Sequence, residues 1–182
     1  TPEGRVAEIA VLHTQVLDSP GSAAHQSYAP SQLDRLRGSG HDYWALGHVH
    51  KRSVLCEHPG IHYSGNLQGR THRERGAKGC LLVEVKRGAP PDVVFKKLAP
   101  IQWEDVEIRD PSQATTLDAL IETIAEGWDG VTGGETEAEW IGRIRVSGAT
   151  PLWRELSGND DQDHLREELT YRLGLLDLTL EI

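Results

Sequence analysis

Three histidines in this chain have the type and spacing to do chemistry: His13, and the pair His48 and His50. Along an extended segment, residues two apart project to the same side with roughly 6 to 7 Å between their α-carbons, so the rings of a His-x-His pair can converge. Neutral imidazole ligates divalent transition metals well. Ions in a binuclear hydrolytic centre lie roughly 3.5 to 4 Å apart, a separation that lets such a pair send one ring to each ion. Gly47 removes a side chain beside that approach. Packing and hydrogen bonding are the plain alternative roles for all three, and pattern alone leaves both open. Cys56, His58 and His62 form a looser group that lacks the fourth ligand of a structural zinc site. Lys51 and Arg52 directly follow the histidine pair, and Arg70, Arg73, Arg75 and Lys78 stand against Glu74 alone in a later loop. Both groups suit phosphate contacts, and both also suit a solvated turn.

The elements that must position these residues read as short strands in the first half. The apolar run 8–12 leads straight into His13, as a buried strand does when its last residue emerges at a sheet edge. A polar loop over 18–30 follows, with His25 in it. Ser31 is placed to cap a short helical segment with Leu33 and Leu36 on one face, stopped at Gly38. Strands are predicted over 43–46, 61–64, 80–85 and 93–95, with antiparallel pairing as the short connection. In the second half, Leu117, Leu120, Ile121 and Ile124 mark one face of a helix behind a threonine cap. Residues 140–146 alternate as an edge or half-buried strand does, 164–173 read as a second helix, and Gly133-Gly134-Glu135 reads as a loop. The acidic stretch 158–163 also reads as a solvated loop. Trp103, Trp128, Trp140 and Trp153 are expected in a core or interface, His41 in a loop and His164 at the surface.

The chain has 182 residues, which against about 150 per domain means one domain or two small ones. No apolar run approaches the roughly 20 residues of a membrane-spanning helix, so no membrane role is expected. Two cysteines and the absence of a basic-then-apolar leader point to a reducing, cytoplasmic setting. The chain opens at Thr1 and contains no methionine, as a trimmed piece of a longer protein would. The net charge of -9 conceals a split, since residues 1–100 carry 13 Lys and Arg against 9 Asp and Glu while 101–182 carry 6 against 19. Eight of nine histidines fall at or before His72. Gly88-Ala89-Pro90-Pro91 and Pro100 mark the border, giving domains 1–97 and 98–182.

The stretch from Asp42 through Gly47-His48-Val49-His50 to Arg52 resembles the final metal-binding motif of calcineurin-like metallophosphoesterases. Tyr63-Ser64-Gly65-Asn66-Leu67-Gln68-Gly69-Arg70, Glu74 and Lys78-Gly79 are similar to the YhaO-type branch of bacterial DNA repair exonucleases, relatives of SbcD. Leu12-His13-Thr14 resembles the penultimate motif, Tyr28-Ala29-Pro30 the segment between, and residues 143–156 the capping domain of that branch. The resemblance implies an α/β (α+β) fold: the C-terminal part of a metallophosphoesterase β-sandwich flanked by helices, then a small α+β capping domain. It implies that His13 and His48 bind one metal and His50 the other, with two manganese ions as the usual pair. It further implies two-metal phosphodiester hydrolysis, DNA as substrate, an SMC-like ATPase as partner, and a homodimer.

The chain departs from the family in its upstream motifs. Asp-x-His, Gly-Asp-x-x-Asp and Gly-Asn-His-Asp supply the bridging carboxylate and the remaining ligands, and none is present: no histidine here follows an aspartate by two residues, and no Gly-Asp dipeptide occurs. Three neutral ligands leave the mutual repulsion of two cations without an offset. The expectation is a portion of a DNA exonuclease, inactive alone and with no catalytic residue assigned. The alternative is a non-catalytic DNA- or protein-binding module whose histidines are structural.

Overall fold

The computed structural model describes residues 6–17, 29–134 and 137–182. The start of the chain, most of the 18–30 loop with His25 and Tyr28, and Glu135 lie outside them. The described chain forms two compact units. One comprises the chain up to Gln68 together with Lys78–Ala99, and the other Gly69–Ala77 with Pro100–Ile182. The loop carrying Arg70, Arg73 and Arg75 therefore belongs with the C-terminal half.

The first unit contains β1 (Ile9–His13), α1 (Leu33–Arg37), β2 (Tyr43–Gly47), β3 (Ser53–Cys56), β4 (Gly60–Tyr63), β5 (Gly79–Glu84) and β6 (Asp92–Lys97). The first four strands form one sheet in the order β1-β2-β4-β3, and β5 pairs with β6. Antiparallel pairing holds for β3–β4 and β5–β6 but not elsewhere, because β1–β2 and β2–β4 are parallel. The reason is connection length: parallel neighbours need a crossover, and the segment between β1 and β2 is long enough to carry α1. Val16, Leu36, Leu46, Val49, Ile61 and Tyr63 form the core, with Leu12 and Trp44 packed on it. The Trp44 indole donates to the Leu36 carbonyl at 3.1 Å, tying α1 to β2. Gln32, not Ser31, occupies the cap of α1. Ser31 instead bridges to Val16 and accepts from the Thr14 hydroxyl at 2.8 Å. β3 has no signature in the sequence, and its register shifts between Val54 and Cys56.

The second unit runs β7 (Ile101–Ile108), α2 (Leu117–Thr132), β8 (Glu139–Val146), α3 (Asn159–Arg172) and β9 (Leu175–Glu181). Its sheet has the order β7-β8-β9 and is parallel throughout. The alternating strand over 140–146 is thus central rather than an edge, with its inward positions buried against the helices. Thr116 caps α2 by accepting from the Ala119 amide at 3.2 Å, and Leu120, Ile121, Ile124 and Trp128 form its buried stripe. Gly133 ends the helix in the left-handed conformation, φ 66°, where a side chain would be strained. The acidic stretch after Gly158 is the first turn of α3, where Asp160 and Asp161 meet the positive end of the helix dipole. Trp128 and Trp140 meet edge to face in the core, whereas Trp153 is 59% exposed and belongs to no core. Among the described residues no helix is long and apolar enough to cross a membrane.

Candidate metal centre

His13 is the last residue of β1 and stands in parallel register with Gly47, the last residue of β2. Parallel strands end at the same sheet edge, so two imidazoles placed at those ends meet. The His13 and His48 ring centroids are 5.2 Å apart, edge to face. Gly47 makes the meeting possible, since a Cβ there would lie 3.0 Å from His13 Nδ1. His48 itself has φ 104°, a conformation that L residues rarely adopt; such strain costs about 1–3 kcal/mol and must be held by the surrounding structure.

That surrounding structure is specific. The hydroxyl of Tyr63, fully buried on β4, donates to the Thr14 carbonyl at 2.8 Å and accepts from the Val16 amide at 2.9 Å. It thereby fixes the turn that follows His13. The Thr14 amide donates to the Gly47 carbonyl at 3.2 Å, carrying the strand pairing past the sheet edge. On the other flank, the Asn66 amide donates to the His50 carbonyl at 3.2 Å. Gly65, at φ 77°, sits where a Cβ would lie 2.9 Å from that same carbonyl oxygen. The Ser64-Gly65-Asn66 turn is therefore a close backbone brace for the 48–52 segment. At the opposite end of β2, both Asp42 carboxylate oxygens accept backbone bonds, from Glu8 and Gly88, each at 2.9 Å. Those bonds hold the Asp42 carboxyl below its ordinary pKa.

The structure brings His13 and His48 into ring contact and places His50 two residues on, half buried. Among the described residues no group of three or more His, Cys, Asp or Glu is arranged to hold a metal ion. Among the described residues the donors brought together here are the two adjacent imidazoles of His13 and His48. They fit a contribution to a metal site and do not fit a complete one. The Cys56, His58 and His62 group likewise makes no ligand cluster. Cys56 Sγ is directed at the His58 carbonyl, 3.4 Å away. His62 is 2% exposed beside the Tyr43 ring, and burial pushes its pKa down.

The basic residues divide between the units. Lys51 is exposed, and the Arg52 guanidinium lies 3.8 Å above the Phe95 ring. In the second unit, Glu74 accepts from the Arg70 amide and pairs with its guanidinium at 3.9 Å. Arg75 is 3.3 Å from Asp105. Asp105 also contacts Arg143, and His72 Nδ1 at 3.3 Å, so one carboxylate gathers three potential cations. The Trp103 indole donates to the Gly69 carbonyl at 2.9 Å and packs edge to face on His72. Loop 69–77 is thus anchored on β7. Sequence reasoning missed Tyr63, Asp42 and Asp105 as positioning residues, because each acts on segments 30 or more residues away in the chain.

The mixed α/β architecture and the imidazole pair at a parallel strand edge are accompanied by a likeness in sequence. The likeness is to the uncharacterized metallophosphoesterase YhaO of Bacillus subtilis (strain 168), 36% identical over 134 residues, which is 73% of this chain. The matched region is 32% of the relative, so the chain spans about a third of the protein it resembles. No protein-family model matches the chain.

Proposed function

We propose that this chain supplies part of a two-metal DNA exonuclease of the metallophosphoesterase class, acting in DNA repair in the cytoplasm. His13 and His48 would contribute to one manganese site and His50 to the second, and when bound such ions polarise a phosphodiester and neutralise the charge that develops on oxygen. The chain's own part is to hold the rings: Gly47 leaves the space, Tyr63 fixes the turn after His13, and Gly65 lets the backbone brace His50. The carboxylates that would close the site come from outside this sequence, so the chain alone does not cleave DNA. Lys51, Arg52, Arg70, Arg73 and Arg75 are proposed to contact phosphates, Arg75 only as far as its pairing with Asp105 allows. An SMC-like ATPase and a second copy of the chain are the proposed partners.

The observation that carries this reading is the 5.2 Å His13–His48 pair at the end of β1 and β2. Manganese titration followed by NMR tests it. Paramagnetic broadening should strike the His13 and His48 rings first and vanish in His48→Ala, with no manganese-dependent digestion of linear duplex DNA by the chain alone. Broadening that ignores both rings refutes the site. Digestion that is abolished by His48→Ala refutes the incompleteness. The absence of a three-ligand group among the described residues favours a second reading, a binding module with structural histidines. Failure of the two rings to respond to manganese would favour that reading.

A further inference from the structure

The second unit contains a pocket of about 570 Å³ between the C-terminal half of α2 and the turn joining α3 to β9. Trp128 and Trp140, core residues 4% and 6% exposed, are among the residues that line it. Tyr171 stands beside it at 87% exposure. Glu122, Glu126 and Asp129 follow one another at helical spacing along one face of α2 and line the same pocket. Arg172 neutralises Glu122. Among the described residues neither Glu126 nor Asp129 has a cationic partner. The last turn of α2 carries no basic residue, so the negative end of its dipole adds to theirs.

We propose that this pocket docks a polypeptide segment that presents arginine or lysine flanked by apolar residues. A row of carboxylates alone is ordinary solvated helix surface. Here it borders a recess beside the exposed Tyr171 phenol, and an aromatic ring with adjacent carboxylates attracts a guanidinium or ammonium group both by charge and through the ring face. Ala125, Ala138 and Leu173 also line the recess and suit apolar neighbours of that cation. The volume lies within the range of ligand pockets and leaves room for more than one side chain, which favours a peptide segment over a single small cation. Charge complementarity selects the partner's sign, because the half of the chain that holds the pocket has 6 Lys and Arg against 19 Asp and Glu. This inference stands apart from the nuclease reading, since it uses none of His13, His48 or the basic loop.

The test is fluorescence anisotropy of a labelled peptide alternating arginine and leucine, titrated with the full chain at physiological salt. Saturable binding is expected. Glu126→Gln with Asp129→Asn should weaken it roughly tenfold, as should Tyr171→Ser, while Glu155→Gln with Asp160→Asn, the same loss of charge elsewhere on the unit, should change it by less than about twofold. Circular dichroism confirms that each variant is folded. Absence of saturable binding overturns the proposal. So does equal weakening by the two charge-removing pairs, which would mean general attraction to an acidic protein. Competition by free arginine amide at the peptide's own affinity would also overturn it, by showing a small-cation site.

Discussion

Replacing Asp105 by asparagine keeps the shape of the side chain and removes the charge on which His72, Arg75 and Arg143 converge. At the 3.3 Å of the Arg75 contact, a charge pair in an effective dielectric near 20 is worth about 5 kcal/mol before the costs of desolvation and ordering. Arg75 is half exposed, and solvent screening reduces its share to about 0.5 kcal/mol. Arg143 is better shielded, with 26% of its side chain accessible against 12% for Asp105. Leaving its guanidinium without this carboxylate is the larger loss, and the whole substitution is expected to cost about 2 kcal/mol. For a unit of this size that lowers the melting temperature by roughly 8 to 16 °C. Four of the five tryptophans lie in this unit, so intrinsic fluorescence reports its unfolding. The loop should loosen first. The Gly76 amide, which donates to the Trp103 carbonyl at 3.2 Å, should exchange with deuterium faster while amides of α2 change little at temperatures below the transition. Unchanged melting together with unchanged exchange at Gly76 would show that Asp105 does not anchor the loop.

Tyr63→Phe strips the buried partner from both the Thr14 carbonyl and the Val16 amide and should destabilise the first unit by about 2–3 kcal/mol in urea denaturation, with the His13 ring resonances shifting as the turn relaxes. His48→Gly should be more stable than His48→Ala by about 1 kcal/mol, because both lose the ring but only glycine accepts φ 104° without strain; equal stabilities would refute the strain. Burial depresses the His62 pKa below its ordinary 6.5, so the unfolded chain takes up a proton that the folded unit refuses. The contribution of His62 is then complete above pH 6.5 and declines as pH falls from there toward the lowered folded value. Thermal denaturation across that window should show a shallower acid-side decline for His62→Gln than for the wild type.

Local pattern made a good part of this protein readable. The apolar run ending in His13, the Leu46-Gly47-His48 junction and the amphipathic face from Leu117 to Ile124 each depend on near neighbours in the chain, and each became a strand or helix as expected. The run ending in His13 is nevertheless not the buried strand its apolar residues suggest: β1 is an outer strand of its sheet, with Ile9 and Val11 55% and 82% exposed. The histidines with chemical spacing were legible for the same reason. What no stretch of sequence announced was strand direction and partnership. Parallel pairing of β1 with β2 is set by a long crossover and brings His13 to His48, while the antiparallel alternative would have sent the two strand ends to opposite edges. The central place of β8 and the existence of β3, β7 and β9 likewise depend on which strand lies alongside, a contact that periodicity does not encode. The basic loop gives the sharpest case. Its charges are plain in the sequence, but its attachment to Trp103 and Asp105 rests on residues some thirty positions further along the chain. Residue types and their spacing fixed the chemistry available, and only the folded chain decided which imidazoles and which charges share a neighbourhood, because hydrogen bonds and ion pairs form between groups close in space whatever their separation in sequence.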